Sequence, residues 1–390
     1  MIIIDDLNNC TGCGLCNNIC PHTAISMIQD EKGFKYPHIN IDKCTDCGAC
    51  RKICPQNSFN PLTSKNIYAA FSKDKDVRMT SSSGGIFTEL CKYVIGNGGI
   101  VFGVKYDKDW LPVFGYAESL EECEAFKVSK YAEADLTKVY HVLYEKIKSG
   151  TLVLFSGTPC QAAAIRTRFS NIKNLIIIDL ICNSVPSAKL LNDYLREIKK
   201  EIGDIKDFNM RFKRPSWENS SYKIDTNSVS ITGENKTKFS KINRLVLSYR
   251  DLFFSHLSTR ISCQNCKYRG FNRAGDISIG DFWGINSICP EMNDGKGTSI
   301  ILINSEKGKD IWNLIDTEKR SVESTSVIRN KCIPLKNLSI NKNYNQFWKD
   351  YVKYGYLYVA KKYTIYGNRL FFRHKIGNIL RKITHLFNNK

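Results

Sequence analysis

No apolar stretch in this chain of 390 residues reaches about 18 residues, the length that a helix needs to cross a bilayer. The first residues, MIIIDDLNNC, run straight into a cysteine motif and leave no space for a signal peptide, so we expect a cytoplasmic protein. No basic module with interleaved aromatic residues is visible, which argues against nucleic acid as a partner. What remains is an ordinary globular composition, 42% hydrophobic and 24% charged, with room for two or three domains.

The chain is rich in cysteine and in positive charge. Sixteen cysteines without a secretion signal indicate reduced thiols that bind metal rather than disulfides. The 57 Lys and Arg residues exceed the 38 Asp and Glu residues, giving a formal net charge of +19. Such a surface attracts anionic lipid or an acidic partner. We therefore expect a redox partner protein or electron carrier.

Eight of the cysteines form two runs of identical spacing, offset by 34 residues: Cys10, Cys13, Cys16 and Cys20 before Pro21, and Cys44, Cys47, Cys50 and Cys54 before Pro55. The spacing resembles that of bacterial ferredoxins with two 4Fe–4S clusters, in which the fourth cysteine of each run ligates the other cluster. We therefore assign one cluster to a first set, which is Cys10, Cys13, Cys16 and Cys54. The other cluster is assigned to a second set, which is Cys44, Cys47, Cys50 and Cys20. Zinc is the alternative, but zinc sites usually pair two cysteines with a distant second pair.

A strand–helix alternation follows from residue 151. TLVLF and NLIIIDLI are buried-strand patterns, and QAAAIRTRF and SAKLLNDYLREIKKEI are helical ones, which predicts parallel strands with right-handed crossovers. Cys160 and Cys182 then lie just beyond the carboxyl ends of two strands, the edge where such sheets bind ligands. Together with Cys263 and Cys266 they form an inner set for a third 4Fe–4S cluster. The alternative is that Cys160 and Cys182 are core thiols and the later pair holds zinc or nothing.

Four further cysteines fall outside these sets. Cys91 lies on the apolar side of a helical pattern and is interpreted as packing, whereas no role is assigned to Cys123, Cys289 or Cys332.

Hydroxyl and glycine residues precede a predicted helix near Ile86. Ser82, Ser83, Gly84 and Gly85 at a helix N-terminus form an anion site, which suits a flavin pyrophosphate. The alternative is a serine N-cap after a flexible loop. Ser129, Lys130 and Tyr131 offer a hydroxyl, a cation and a phenol together.

Several segments together resemble the coenzyme F420 hydrogenase/dehydrogenase beta-subunit family across roughly residues 66–310. The segments are GTPCQ at 157–161, ICNSVPS at 181–187, CQNCKYRG at 263–270, DISIGDFWG at 276–284, and SSSGGIFTEL and SKYAEADL in the N-terminal half. The resemblance implies a core that binds FAD and one 4Fe–4S cluster. It maps the serine–glycine loop and residues 129–131 onto FAD contacts. Asp281, like Asp276, then contacts the flavin or the cluster surroundings, or only caps a turn.

The chain departs from the family pattern at Asn183 and Ser184, where members commonly have His-Gly. The role of that histidine as a proton donor cannot be carried over, so no catalytic residue is assigned.

The fold class expected is α/β (α+β). It comprises a two-cluster ferredoxin-type domain over 1–60, a linker over 57–65, a mixed α/β flavin-binding domain over 66–340, and an aromatic and basic helical tail over 341–390.

The expected function is an iron–sulfur flavoprotein oxidoreductase that passes electrons between 4Fe–4S clusters and FAD and reduces or oxidises a small organic substrate. Coenzyme F420 as the carrier is not established. The alternative is an electron-transfer protein that serves a separate enzyme, for which surface-polysaccharide biosynthesis is one setting.

The tail carries eight Lys or Arg and no Asp or Glu over 361–390, with apolar residues from Phe372 to Phe387 at helical spacing. Such a helix lies on an anionic inner membrane face, or docks on the body of the protein itself. The aromatic segment before it is expected to pack against the body.

Overall fold

The computed structural model describes residues 3–64, 66–214, 216–232 and 240–367. Within them the strands are β1 (Ile25–Gln29), β2 (Lys35–Ile39), β3 (Leu62–Thr63), β4 (Asn66–Phe71), β5 (Ile100–Tyr106), β6 (Pro112–Ala117), β7 (Val153–Gly157), β8 (Leu175–Leu180), β9 (Ile205–Phe212), β10 (Ser221–Thr226), β11 (Ser230–Thr232), β12 (Asn272–Arg273), β13 (Ile277–Asp281), β14 (Ser299–Ile303) and β15 (Glu318–Ser321). The helices are α1 (Leu15–Ile19), α2 (Ala49–Ile53), α3 (Pro55–Ser58), α4 (Lys75–Thr80), α5 (Ile86–Gly96), α6 (Leu120–Cys123), α7 (Val139–Lys148), α8 (Pro159–Arg168), α9 (Ala188–Ile202), α10 (Lys241–Phe254), α11 (Glu306–Leu314), α12 (Ser324–Arg329), α13 (Tyr344–Tyr354) and α14 (Tyr356–Tyr363).

The N-terminal unit repeats one local pattern. Each cysteine run enters a short helix through a glycine in the left-handed region, Gly14 before α1 and Gly48 before α2, both at φ 73°. Glycine suits this position because any Cβ is strained there. The antiparallel hairpin of β1 and β2 lies between the two helices in the chain.

The body is built on an eight-stranded mixed sheet of order β15-β4-β14-β13-β8-β7-β5-β6. The four central strands β13, β8, β7 and β5 run parallel, and the strands flanking them pair antiparallel. The parallel pairing predicted for the TLVLF and NLIIIDLI segments is confirmed, with Gly157 opposite Asp179. Both strands therefore end at the same edge of the sheet.

Helices cover both faces of the central strands. Val153 and Phe155 of β7 pack with α7 and α8, whereas Leu154 between them packs with α5 and Trp312 of α11. Burial on both faces explains why these strands have continuous apolar runs instead of alternating polarity. Cys91 lies in the second of these cores, as its place in the sequence predicts.

A separate core joins four other helices to a three-stranded antiparallel sheet of order β11-β10-β9. α9, α10, α13 and α14 pack over this sheet, and Phe347 and Trp348 are buried among them. The aromatic segment therefore packs against the body, as expected. The amphipathic helix expected from Phe372 onward lies outside the described residues.

The segment expected to be a linker is attached to the body. β3 pairs antiparallel with β12, and the Ser64 hydroxyl lies 2.6 Å from the Asn304 side-chain oxygen. Within the segment interpreted as a linker over 57–65, Leu62–Thr63 thus forms a strand that pairs with the body. None of the described helices is long and apolar enough to span a membrane.

Candidate functional site

Two cavities in the N-terminal unit are lined by four cysteines each. The first is lined by Cys10, Cys13, Cys16 and Cys54, together with the hairpin residues Met27 and Pro37. The second is lined by Cys20, Cys44, Cys47 and Cys50, with Ile25 and Ile39. The structure thus gathers the first set and the second set as the ferredoxin-like spacing assigns them, with the fourth cysteine of each run in the other cavity.

The helix geometry explains this exchange of ligands. Cys16 and Cys50 lie in the first turns of α1 and α2, and Cys20 and Cys54 are the C-caps of the same helices in extended conformation. The C-cap cysteine of each run thus lies one helical turn beyond the loop that carries the other three cysteines of that run. α1 and α2 pack side by side, so each C-cap cysteine reaches the loop of the other run.

The thiols of the first set lie in a poorly solvated place. The pKa of Cys13 is raised to about 12, mainly by burial; the Leu15 amide opposes the rise, and negative charge on Cys10, Cys54 and Cys160 contributes to it. A thiolate is the form that binds a metal, and metal binding removes its proton. Four convergent, poorly solvated thiols therefore suit a cationic iron cluster.

The donor geometry also bears on the type of metal site. Across the described ranges, no three His, Cys, Asp or Glu side chains converge closely enough to bind a single metal ion. A 4Fe–4S cluster requires wider spacing, because each cysteine binds a different iron.

The inner set assembles at the edge of the large sheet. Cys160 follows β7 and Cys182 follows the adjacent β8, while Cys263 lies in a 3-10 turn over Ile261–Asn265. The Arg260 amide donates to the Val185 carbonyl at 2.9 Å, and Pro186 bridges to Thr259, so the turn is fastened to the loop after Cys182. Burial raises the pKa of Cys182, and Cys263, Cys160 and Cys266 raise it further, as expected for neighbouring sulfurs.

A buried ion pair fixes the two loops that carry the inner set. Asp179, at the end of β8, accepts from Arg273 at 2.7 Å and from the amides of Ala274 and Gly275. Arg273 also donates to the Tyr268 and Leu180 carbonyls. Asp179 and Arg273 are both fully or nearly fully buried. Neither is in a recognisable motif, and the sequence analysis missed both.

The first set and the inner set lie side by side. Leu15, Cys13, Cys160 and Cys266 belong to one packed cluster of apolar side chains, which includes Tyr140 and Tyr268. The Tyr140 hydroxyl donates to the Cys13 carbonyl at 2.9 Å. The N-terminal unit is therefore docked on the body where the two cysteine sets meet.

Most of the residues expected to contact FAD converge near the inner set. The Ser82 hydroxyl accepts from the Ser129 amide at 2.8 Å and lies 3.1 Å from the Ser129 hydroxyl. Burial raises the pKa of Tyr131, Arg211 lowers it, and Asp281 and Cys182 raise it, so the charges of these groups act on the phenol.

Arg211 and Trp217 connect this group of residues, and the sequence analysis missed both. Arg211 donates to Asp281 at 3.0 Å and to the Ser82 carbonyl at 3.4 Å, and the Trp217 indole donates to the same Asp281 oxygen at 3.0 Å. The buried Nε of Arg211 has no partner within the described structure. A donor left over at this point fits a ligand oxygen. Trp217 also stacks on the half-exposed Trp283.

The serine–glycine loop is partly consumed by the scaffold. The Ser83 hydroxyl donates to the Thr298 carbonyl at 2.8 Å, and the Gly84 amide donates to the Ser299 hydroxyl at 3.0 Å. The helix α5 begins at Ile86, and its N-cap is Gly85 at φ 83° without a side-chain hydrogen bond. The alternative of a serine N-cap is therefore wrong. The Ser82 hydroxyl instead bonds to Ser129, so within this loop it faces the 129–131 segment.

Two other candidate residues serve the protein itself. Burial lowers the pKa of Lys130 to about 7, and its amine donates to the carbonyls of Ala125 and Lys127. Asp276 accepts from the Ile177 amide and the Ser305 hydroxyl and pairs with Arg166. Lys130 and Asp276 are thus occupied by internal partners.

Comparison with known protein families finds three matches along the chain. Two sequence models describe the two halves of the coenzyme F420 hydrogenase/dehydrogenase beta subunit. Residues 67–141 match the model of its N-terminal part, and residues 150–327 match the model of its C-terminal part. Residues 9–58 match the 4Fe-4S dicluster domain. No curated protein matches the chain.

Among solved structures, a chain of the F420-reducing [NiFe] hydrogenase complex from Methanosarcina barkeri, in a xenon-derivatised form, is 17% identical. The match covers 78% of this chain and 93% of that chain, with a TM-score of 0.44. The two family matches together span well over half of the sequence. The chain therefore belongs to the coenzyme F420 hydrogenase/dehydrogenase beta-subunit family and carries an N-terminal 4Fe-4S dicluster domain.

Proposed function

We propose that the chain is an iron–sulfur flavoprotein oxidoreductase with three 4Fe–4S clusters and one FAD. The observation that carries this proposal is that the proposed cofactor sites follow one another without a break through the protein. The second set packs against the first set through α1 and α2, and Cys13 of the first set packs against the same apolar cluster as Cys160 and Cys266 of the inner set. Cys182 of the inner set is near enough to Tyr131 for its charge to raise the pKa of the phenol. Such a series of sites suits electron transfer between the surface and a buried reaction centre.

The residues of the chain have separable roles in this proposal. The first, second and inner sets would hold the clusters. Ser82, Ser129, Tyr131, Arg211 and Asp281 would hold the FAD, with Ser83, Gly84 and Gly85 shaping the loop. FAD, when bound, supplies hydride chemistry on an organic substrate or a deazaflavin carrier, which clusters alone do not provide. Arg211 and Trp217 fix the Asp281 carboxylate by donating to it.

The alternative is an electron-transfer protein that works within a larger complex. The family is described by its beta subunits, which favours a redox partner protein. Both proposals share the clusters, and they differ in whether the isolated chain reduces a small molecule.

The test is anaerobic purification followed by counting iron, acid-labile sulfide and flavin per chain. We expect about twelve irons, which is the content of three 4Fe–4S clusters, and one FAD. Cys182→Ser should lower the iron content to about eight. The matched control Cys289→Ser alters a buried cysteine outside all three sets and should leave the count unchanged. About eight irons and no flavin in the unaltered chain would refute the inner cluster and the flavoenzyme.

A further inference from the structure

Arg260 lies buried between the N-terminal unit and the body. Only 1% of its side chain is exposed, and it is three residues before Cys263 in the turn that carries the inner set. Its guanidinium donates to two carbonyls of the N-terminal unit, Cys10 at 2.9 Å and Lys35 at 2.7 Å. One side chain of the body thus contacts the ligand loop of the first set.

The guanidinium is also held from the other directions. Glu133 accepts from it through both carboxylate oxygens at 3.1 Å. The rings of Tyr36 and Phe34 lie 4.5 and 5.3 Å from its central carbon. These contacts keep a cation in a place that excludes water, where its field acts with little screening.

The same residue is linked to cysteines of two different sets. Its guanidinium donates to the Cys10 carbonyl, and its backbone is the N-cap of the turn that carries Cys263. Cys10 belongs to the first set and Cys263 to the inner set. The guanidinium therefore lies near both proposed clusters.

We propose that Arg260 is a positioning residue that docks the first cysteine set against the inner set and raises the reduction potentials of the clusters these sets hold. The proposal rests on the cluster assignment of the proposed function. Reduction of a 4Fe–4S cluster adds one electron and therefore one negative charge. A fixed cation nearby stabilises the reduced form more than the oxidised form.

Glu133 allows the direction of the expected shift in reduction potential to be tested. Its carboxylate pairs with Arg260 and opposes the field of the guanidinium. Removing the positive charge in Arg260→Gln should lower the potentials, whereas removing the negative charge in Glu133→Gln should raise them. Arg260→Lys keeps the charge but cannot maintain all the donor contacts of the guanidinium. It should hold the potentials closer to the unaltered value than Arg260→Gln does.

The experiment is a redox titration of the holoprotein, followed by electron paramagnetic resonance, after iron and sulfide counting. We expect Arg260→Gln to lower the equilibrium constant for reduction of the affected clusters at least tenfold. For a one-electron couple this lowers the potential by about 59 mV. The cluster of the second set is the internal reference, since its cavity shares no lining residue with that of the first set.

The outcomes distinguish the proposed role of Arg260 from the cluster assignment of the proposed function. Opposite shifts in Arg260→Gln and Glu133→Gln support the role of Arg260. Shifts in the same direction, or none, in fully loaded variants would overturn it. If Arg260→Gln loses iron, the potentials of Glu133→Gln and Arg260→Lys still decide the sign. A lack of iron in the unaltered chain would instead overturn the proposed function.

Discussion

Gly14 and Gly48 offer a matched pair of substitutions that isolates the docking of the N-terminal unit. Both are N-caps at φ 73°, one in each repeat. A Cβ on Gly14 would lie 2.3 Å from Cγ2 of Thr137 in the body, whereas a Cβ on Gly48 meets nothing within 4 Å. Alanine is therefore strained alike at both positions but clashes with the body only at Gly14.

Thr137 cannot easily turn away from the added methyl group. Its amide and its hydroxyl both donate to the same oxygen of Asp135, at 2.9 and 2.7 Å. Left-handed strain costs about 1–2 kcal/mol and is common to both variants. Overpacking adds about 1–3 kcal/mol in Gly14→Ala alone. That difference corresponds to roughly 5- to 150-fold more frequent opening of the docked interface.

Hydrogen exchange of the anaerobic holoprotein measures this opening. Peptides covering residues 130–141 should exchange faster in Gly14→Ala by that factor relative to Gly48→Ala. In Gly48→Ala they should behave as in the unaltered protein. Equal exchange in the two variants would refute the docked interface, because the clash with Thr137 is the difference between the two sites.

Two further substitutions test the body. Asp179→Asn leaves the Arg273 charge buried without its partner, which costs about 3–5 kcal/mol of folding stability. Because the entropy of unfolding is about 2.1 cal/mol/K per residue over 390 residues, the thermal midpoint should fall by about 4–6 °C. Asp179→Asn should also lose the iron of the inner set. The control Asp316→Asn, which alters an exposed ion pair with Lys73, should change neither the thermal midpoint nor the iron count. Arg211→Met removes the donor shared by Asp281 and the Ser82 carbonyl, so the flavin content should fall at least tenfold while iron stays constant. The control is Arg214→Met, an exposed neighbour, and equal flavin content in the two variants would contradict the FAD assignment.

The cysteine sets were predictable because their geometry is local or follows from strand ends. In the N-terminal unit, four ligands come from each short run, and the duplication gives the pattern twice. Cys160 and Cys182 follow neighbouring parallel strands, so the sheet itself brings them together. The sequence pattern needed no long-range information to place the eight N-terminal cysteines or to bring Cys160 near Cys182, whereas Cys263 and Cys266 come from a turn much farther along the chain.

The residues that connect these sets were not predictable in the same way. Arg211 lies on β9 of the small sheet, 70 residues from Asp281, and no spacing rule relates them. Arg260 contacts Cys10 across 250 residues. Ser83 and Gly84 match a ligand loop in sequence, yet their polar groups bond to residues 298 and 299. Polar partners of this kind depend on the docking of separate elements, which a single sequence does not reveal.

The contacts also determine an order among the proposed clusters. Cys47 of the second set is exposed, whereas Cys13 and Cys160 pack together in the interior cluster of side chains. The first set is the one in contact with both of the others among the described residues. In the proposed function, the second set would therefore exchange electrons with a partner, and the first set would pass them to the inner set. The docking contacts of Arg260, Tyr140 and Gly14 all fall on the first set, so in the proposed function they would control whether electrons that enter at the surface reach the body.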